Sequence, residues 1–290
     1  MSTAASQAGA GPRFSVVIPA HDEAAVIGRC LASFVGDLVP GEAEIIVVAN
    51  GCTDRTADVA RAFTGVSVFE LVGASKTAAL NAGDEAATAF PRVFLDADID
   101  VSADTLRHLA SALEGPAAAV GAPRAALLLD GSSAAVRAFY RVHARLPYMA
   151  EGMTGTGVYA LSRAGRARFE RFPDLTADDL FVQRLFTPPE RVVLEDRFMV
   201  RVPRTLAALV AVRTRVAAGN RQLALDRPND DSFGSSAGST GRALAHLVRD
   251  SPREVVGAAV YVGVTAVARS RARSRRDRGA GWLRDQTTRT

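Results

Sequence analysis

The chain has 290 residues, 48% of them hydrophobic and 23% charged, with a formal net charge of +4. This is an ordinary globular composition with ample material for one large α/β domain and an appendage. Two cysteines, Cys30 and Cys52, exclude a disulfide framework and set a reducing, cytoplasmic location as the expectation. No apolar stretch reaches the roughly 20 residues that span a bilayer. Val255 to Ala268 comes nearest and is interrupted by Gly257 and Gly263. Lys76 is the only lysine, and the arginines form no aromatic-interleaved basic patch, so no nucleic-acid partner is expected.

Residues 1–12, rich in Ala, Gly and Ser, read as a disordered tail with neither the basic nor the apolar region of a signal peptide. The next 110 residues alternate two kinds of segment. Apolar runs predict buried strands at Phe14–Ile18, Glu44–Val48, Val66–Leu71, Val93–Leu95 and Ala117–Val120. Ala-rich stretches predict helices over Glu23–Phe34, Ala57–Phe63, Lys76–Ala89 and Ala103–Leu113, with Pro91 as a stop and Ser102 as an N-cap. The alternation implies an α/β fold with a mostly parallel sheet covered on both faces. Beyond residue 120 it becomes irregular. Helices are expected near Ala134–Arg145, Ala164–Arg171 and Thr205–Arg221, and a short strand at Val158–Leu161 follows a Gly/Thr loop. Asn229–Gly241 reads as a linker between a main domain, residues 13–228, and a helical basic extension, residues 242–290.

Ligands of parallel sheets bind beyond the carboxyl ends of the strands. Three polar loops follow the first, second and fourth runs: Pro19 to Glu23, Ala49 to Asp54, and Asp96 to Asp100. Asp96 and Asp98, one residue apart at a strand end, would repel each other unless neutralised. A divalent cation such as Mg2+ or Mn2+, bridging to a diphosphate, does so through oxygen ligands. The competing reading, a helix cap, suits Asp100 and Ser102 better.

Four motifs in this order and spacing resemble the family-2 glycosyltransferases of the GT-A fold. They are Phe14 to Glu23, Ile46 to Thr56, Lys76 to Gly83, and Phe94 to Asp98, the last falling at the family's DxD. The resemblance implies that Pro19, His21 and Glu23 line a nucleoside pocket and that Asn50 meets the base. It implies that Lys76 contacts the donor, and that Asp96 and Asp98, with Ala97 between them, hold ribose, metal and diphosphate. Two departures are visible: His21-Asp22 stands for the usual Tyr-Asn, and Ala49-Asn50 for an acidic pair, so the base of the donor stays open. Downstream, Gly155 to Arg163 resembles the acceptor loop and strand, and Asp178 to Leu185 the helix that carries the general base. Asp179 is the favoured base and Asp178 the competitor, against a capping role for either.

The expected activity is transfer of a sugar from a nucleotide-diphosphate sugar to an acceptor hydroxyl, metal-dependent and inverting. The alternatives are a nucleotidyltransferase, which would want a Gly-rich loop after the first strand, and a non-catalytic nucleotide- or partner-binding domain. Arg213, Arg215 and Arg221 loosely match a basic motif closing over the diphosphate. The apolar helix from Val255, running into arginines up to Arg278, suits peripheral contact with the inner face of an anionic membrane or a homodimer helix.

Overall fold

The computed structural model describes residues 11–150, 153, 157–175, 177–226 and 236–274. Seven strands form one sheet in the order β3-β2-β1-β4-β6-β5-β7. They are β1 (Phe14–Ala20), β2 (Ala43–Asn50), β3 (Val66–Leu71), β4 (Arg92–Leu95), β5 (Val120–Leu128), β6 (Val158–Leu161) and β7 (Arg191–Arg201). The first four pair in parallel, as does β5 with β7. Only β6 runs antiparallel, between β4 and β5. The helices in chain order are α1 (Ile27–Ala32), α2 (Thr56–Arg61), α3 (Lys76–Ala86), α4 (Ala103–Ala112), α5 (Ala134–His143) and α6 (Pro147–Ala150). They continue with α7 (Arg163–Arg166), α8 (Asp178–Arg184), α9 (Leu206–Asp226), α10 (Ser236–Asp250) and α11 (Val255–Ser274).

Strand side chains alternate between the two faces of the sheet. Val16, Ile18, Val93 and Leu95 pack on one side with Leu31 of α1 and Leu106 of α4. Val17, Ile46, Val48 and Phe94 pack on the other with Leu80 of α3 and Phe181 of α8. The same period carries Asp96 to the face of Phe94, where α3 and α8 lie. A third apolar cluster joins α5, α9 and α11 through Phe139, Leu209 and Tyr261.

The parallel half matches the expectation. β5 does not: it runs over Val120–Leu128 rather than 117–120. Pro123 lacks an N–H to give a neighbour, and the pairing with β7 shifts register between Ala122 and Arg124. β7, absent from the sequence reading, carries five charged residues among its eleven, which masks any apolar alternation. The expected linker is helical from Ser236, since adding residues to an existing helix costs little; residues 229–235 lie outside the described ones. α11 reaches Ser274, and residues 252–274 are long and apolar enough to cross a membrane. One face of α11 is nevertheless buried through Tyr261, Val264 and Ala268, so the C-terminal helices share a core with α5.

Gly83 lets α3 sit close to the sheet. A Cβ there would lie 2.4 Å from Val17 Cγ1 and 3.2 Å from Val48 Cγ2. Glycine inside a helix costs about 1 kcal/mol relative to alanine, so close approach is the compensation. Gly83→Ala should lift α3, destabilising the chain by about 1–3 kcal/mol despite the better helix propensity. Urea denaturation checks this, and unchanged or raised stability would contradict it.

Candidate functional site

The loops after β1 and β2 are laced together. Asp22 adopts a left-handed backbone, φ 46°. Its Oδ1 accepts from Thr53 N at 2.5 Å, Thr53 Oγ1 at 3.1 Å and Asp54 N at 3.2 Å. Glu23 is buried, and its N–H donates to Thr56 Oγ1 at 2.7 Å. The His21 ring donates from Nδ1 to the Asn50 carbonyl at 2.7 Å, which fixes its tautomer. Gly51 then turns the chain with φ 60°, where a Cβ would strike the backbone N of Ala74 at 2.8 Å. The Asn50 side chain is fully buried. Its Nδ2 donates to the Ser75 carbonyl, just before α3, while Oδ1 is buried with no hydrogen-bond partner among the described residues. Such an acceptor costs about 1–3 kcal/mol unless a ligand supplies a donor.

Lys76 opens α3 directly after Ser75, whose side chain accepts from Ala78 N and caps the helix. A cation at a helix N-terminus is unfavourable towards the dipole, so helix stability does not account for it. Its Nζ lies 2.8 Å from Asp96 Oδ1 and 2.9 Å from Asp178 Oδ1. Burial works against the ammonium, but Asp178 and then Asp96 outweigh it and hold the pKa above the usual lysine value. One cation thus joins the end of β4, the start of α3 and the start of α8.

Asp178 is committed on both oxygens, since Tyr159 donates its hydroxyl to Oδ2 at 3.2 Å. Burial, with Asp178 adding to it, keeps that phenol protonated well above its ordinary pKa. Asp179 differs. Its Oδ1 accepts from Leu180 N at 2.8 Å, and it is only partly buried by area. Its low-dielectric surroundings, then the charge of Asp178, push its pKa up to about 6 against the opposing pull of Lys76. In the DxD segment, Asp96 N donates to the Gly157 carbonyl at 2.8 Å. Gly157 has φ 67°, and a Cβ there would come within 3.0 Å of Asp96 Oδ2. Ala97 is buried in the opposite face, among the apolar cluster of α1 and α4. The half-buried Asp98 is tethered through its carbonyl, 3.2 Å from Arg29. Asp100 pairs with Arg29 at 2.8 Å and Arg201 at 2.6 Å. It pins the turn instead of capping α4, a task Ser102 performs.

The three expected loops therefore meet at one sheet edge, with Pro19 inside β1 beside Val48. Lys76, Asp96 and Asp178 come into direct contact, and Asp179 stands next to them in the first turn of α8. Asp22, Gly157 and Tyr159 lie inside the motifs read from the sequence but were given no part there. Only the glycine just before an apolar strand hinted at its part. The loose match of Arg213 to a diphosphate clamp fails: it sits 3.5 Å from His143 Nε2 and 5.8 Å from the Phe139 ring centroid, in the α5 layer. His143 itself is held neutral, its pKa lowered to about 3 by burial and then by Arg213. Among the described residues, His21, Asp22 and Cys52 also bring ligand atoms within 4.8 Å of one another. There the Cys52 sulfur accepts from Asp22 N at 3.3 Å and serves the loop.

Residues 15–149 match the sequence model of Glycosyl transferase family 2. A PGL/p-HBAD biosynthesis glycosyltransferase of Mycobacterium tuberculosis is 35% identical over 108 residues, which is 35% of this chain and 42% of that protein. The match thus spans less than half of that relative. Among solved structures, a mannosyltransferase from Pyrobaculum calidifontis in complex with GDP-Man and Mn2+ superposes with a TM-score of 0.57 at 21% identity, covering 90% of this chain and 74% of that one. Glucosyl-3-phosphoglycerate synthase from Mycobacterium tuberculosis, in complex with Mn2+, UDP and glucosyl-3-phosphoglycerate, gives 0.51 at 23% identity, covering 71% and 78%. At these identities the two structures bear on the fold, which is the expected GT-A arrangement.

Removing the shared cation tests the cluster directly. Lys76→Met leaves buried carboxylate charge unbalanced and should cost about 3–5 kcal/mol at neutral pH. Adding Asp178→Asn to that variant should restore part of the loss. Chemical denaturation of parent, single and double variants reads both effects, and a Lys76→Met chain as stable as the parent would show the ion pairs to be idle.

Proposed function

We propose, from the match of residues 15–149 to the model of glycosyl transferase family 2, that the chain transfers a sugar from a nucleotide-diphosphate donor to an acceptor hydroxyl with inversion. The observation that carries the proposal is the double contact of Lys76 with Asp96 and Asp178, which sets the donor-side carboxylates beside the acidic helix start. The orphaned Oδ1 of Asn50 supports a nucleobase contact, because an imino or amino N–H would satisfy it. Pro19, His21 and Glu23 then wall the nucleoside side, in loops already cross-bonded before any ligand arrives.

The donor set fits a hard cation. Asp96 and Asp98 offer carboxylate oxygens only, and Gly157 leaves Asp96 Oδ2 uncrowded. Mg2+ or Mn2+ bound there, by Asp98 and Asp96, would supply Lewis-acid relief of the charge that grows on the departing diphosphate. Lys76 orients Asp96 towards that position. Asp178, held by Lys76 and Tyr159, is a positioning residue. Asp179 is the proposed base: its raised pKa makes it a competent proton acceptor near neutrality, and among the described residues only its Oδ1 is engaged, by Leu180 N. The acceptor oxygen bonds to the anomeric carbon as the bond to diphosphate breaks, and the hydroxyl proton passes to Asp179.

Valines exposed on α11, Val256 at 69% and Val262 at 53%, precede Arg269, Arg271 and Arg273. This supports peripheral contact with an anionic membrane, where a hydroxyl acceptor could be held.

Two measurements test the site. UDP and GDP are titrated with and without Mn2+ and followed by thermal shift, which reports ligands that bind the folded state. One of them should bind about tenfold or more tightly with the metal, and Asp98→Ala should abolish that gain; tight binding indifferent to metal and to Asp98 would sink the mechanism. In turnover assays kcat/KM should fall tenfold per pH unit below about pH 6, as Asp179 becomes protonated. Asp179→Asn should lose turnover by a factor of at least about 100 while still binding nucleotide. A variant that keeps the acid limb would move the base elsewhere.

A further inference from the structure

A cavity of about 500 Å³ opens between β5, α5 and β7, apart from the nucleotide loops. Its volume lies in the range of small-molecule sites. Arg124, Arg137, Arg141 and Arg197 surround it, and Leu127 and Tyr140 give it an apolar floor. Ordinary surface pairing does not account for these arginines. Arg197 is exposed on β7, and its side chain makes no hydrogen bond or ion pair among the described residues. Among the described residues Arg124 has its Nε buried without a partner, and its one ion pair, 3.0 Å to Glu195, involves a carboxylate 86% exposed. Arg137 gives an N–H to the Ser132 carbonyl, and Arg141 reaches Glu254 only at 3.9 Å. Arg124 and Arg197 are cross-strand partners, so two like charges face each other where β5 meets β7.

Like charges gathered over an apolar surface are relieved by an oxyanion, and guanidinium forks suit phosphate and carboxylate geometry. Two chain paths tie the cavity to the proposed reaction centre. Arg197 is two residues from Met199, whose N–H donates to the Asp100 carbonyl at 2.9 Å, just beyond the DxD segment. Met149 lines the cavity, and Met153, four residues on, is buried in the cluster that holds Tyr159. Four residues of chain span at most roughly 14 Å. We propose that this cavity is the acceptor pocket, and that it takes an anionic amphiphile, a phosphate or carboxylate head on an apolar body that bears the hydroxyl. Its role as an acceptor site rests on the transfer reading above; its ligand chemistry does not.

Decyl phosphate, kept below its micelle-forming concentration, is titrated into the full chain by calorimetry at low and high salt, beside inorganic phosphate and decanol. Decyl phosphate should bind about tenfold or more tightly than either half alone, and more weakly as salt rises. Arg197→Glu and Arg137→Glu, both at exposed positions, should each weaken it by about tenfold or more. Phosphatidylcholine vesicles with and without phosphatidic acid then separate the sources of the head. Co-sedimentation with the acidic vesicles that Arg197→Glu abolishes assigns it to a lipid, and binding of the monomer alone assigns it to a soluble acceptor. Equal affinity for decanol, or affinity untouched by both arginine variants, overturns the proposal. If nucleoside diphosphate binding persists while decyl phosphate does not bind, the acceptor pocket fails and the transfer reading stands.

Discussion

The ammonium of Lys76, between Asp96 and Asp178, is the contact on which the site depends. It unites residues twenty and a hundred positions away, and it exists because three elements share one face of the sheet. Phe94 places Asp96 on that face by the two-residue period of β4, α3 lies against it through Gly83, and Phe181 seats α8 there. Moving any of the three by a residue would turn its charged group elsewhere. The lysine also stands where the helix dipole disfavours it, a local cost offset by the paired carboxylates rather than by the helix.

Around this contact the other charged groups divide into those that brace and those left for ligands. Asp100, bracketed by Arg29 and Arg201, fixes the turn after the DxD segment. Asp22 ties the first nucleotide-side loop to the second through three hydrogen bonds. Asp178 is occupied on both oxygens. In the proposed reaction the groups that meet ligands are few: the buried carbonyl of the Asn50 side chain, the carboxylate of Asp98, and a carboxylate at Asp179 whose proton affinity is raised towards neutrality. A site built this way loses little order on binding, since most of its polar groups are positioned beforehand.

The parallel half and its three loops were legible because strands buried on both faces appear as unbroken Val and Ile runs, and ligand loops follow such strands. The second half was not. β7 is half exposed and rich in charge, and Pro123 sits inside β5, so neither strand advertised itself. The neighbours of Asp96 were invisible for a different reason. Gly157 reaches it, and Tyr159 reaches Asp178, only because β6 inserts antiparallel beside β4, a choice of sheet partner that local pattern does not encode. Motif resemblance pointed to Asp178 and Asp179, whereas their unequal surroundings came from geometry: two partners on one carboxylate, and desolvation on the other.

The place of β6 also governs the order in which the molecule can assemble. β4 has β1 on one side from the outset, but its other edge stays unpaired until residues 158–161 have left the ribosome, and β5 must wait still longer for β7 at residues 191–201. An emerging first half therefore carries an open sheet edge, the kind of surface that recruits other chains. Residues before and after about 120 therefore share one sheet, because β6 pairs with β4 on one side and β5 on the other. The antiparallel strand between them is the clasp of that sheet.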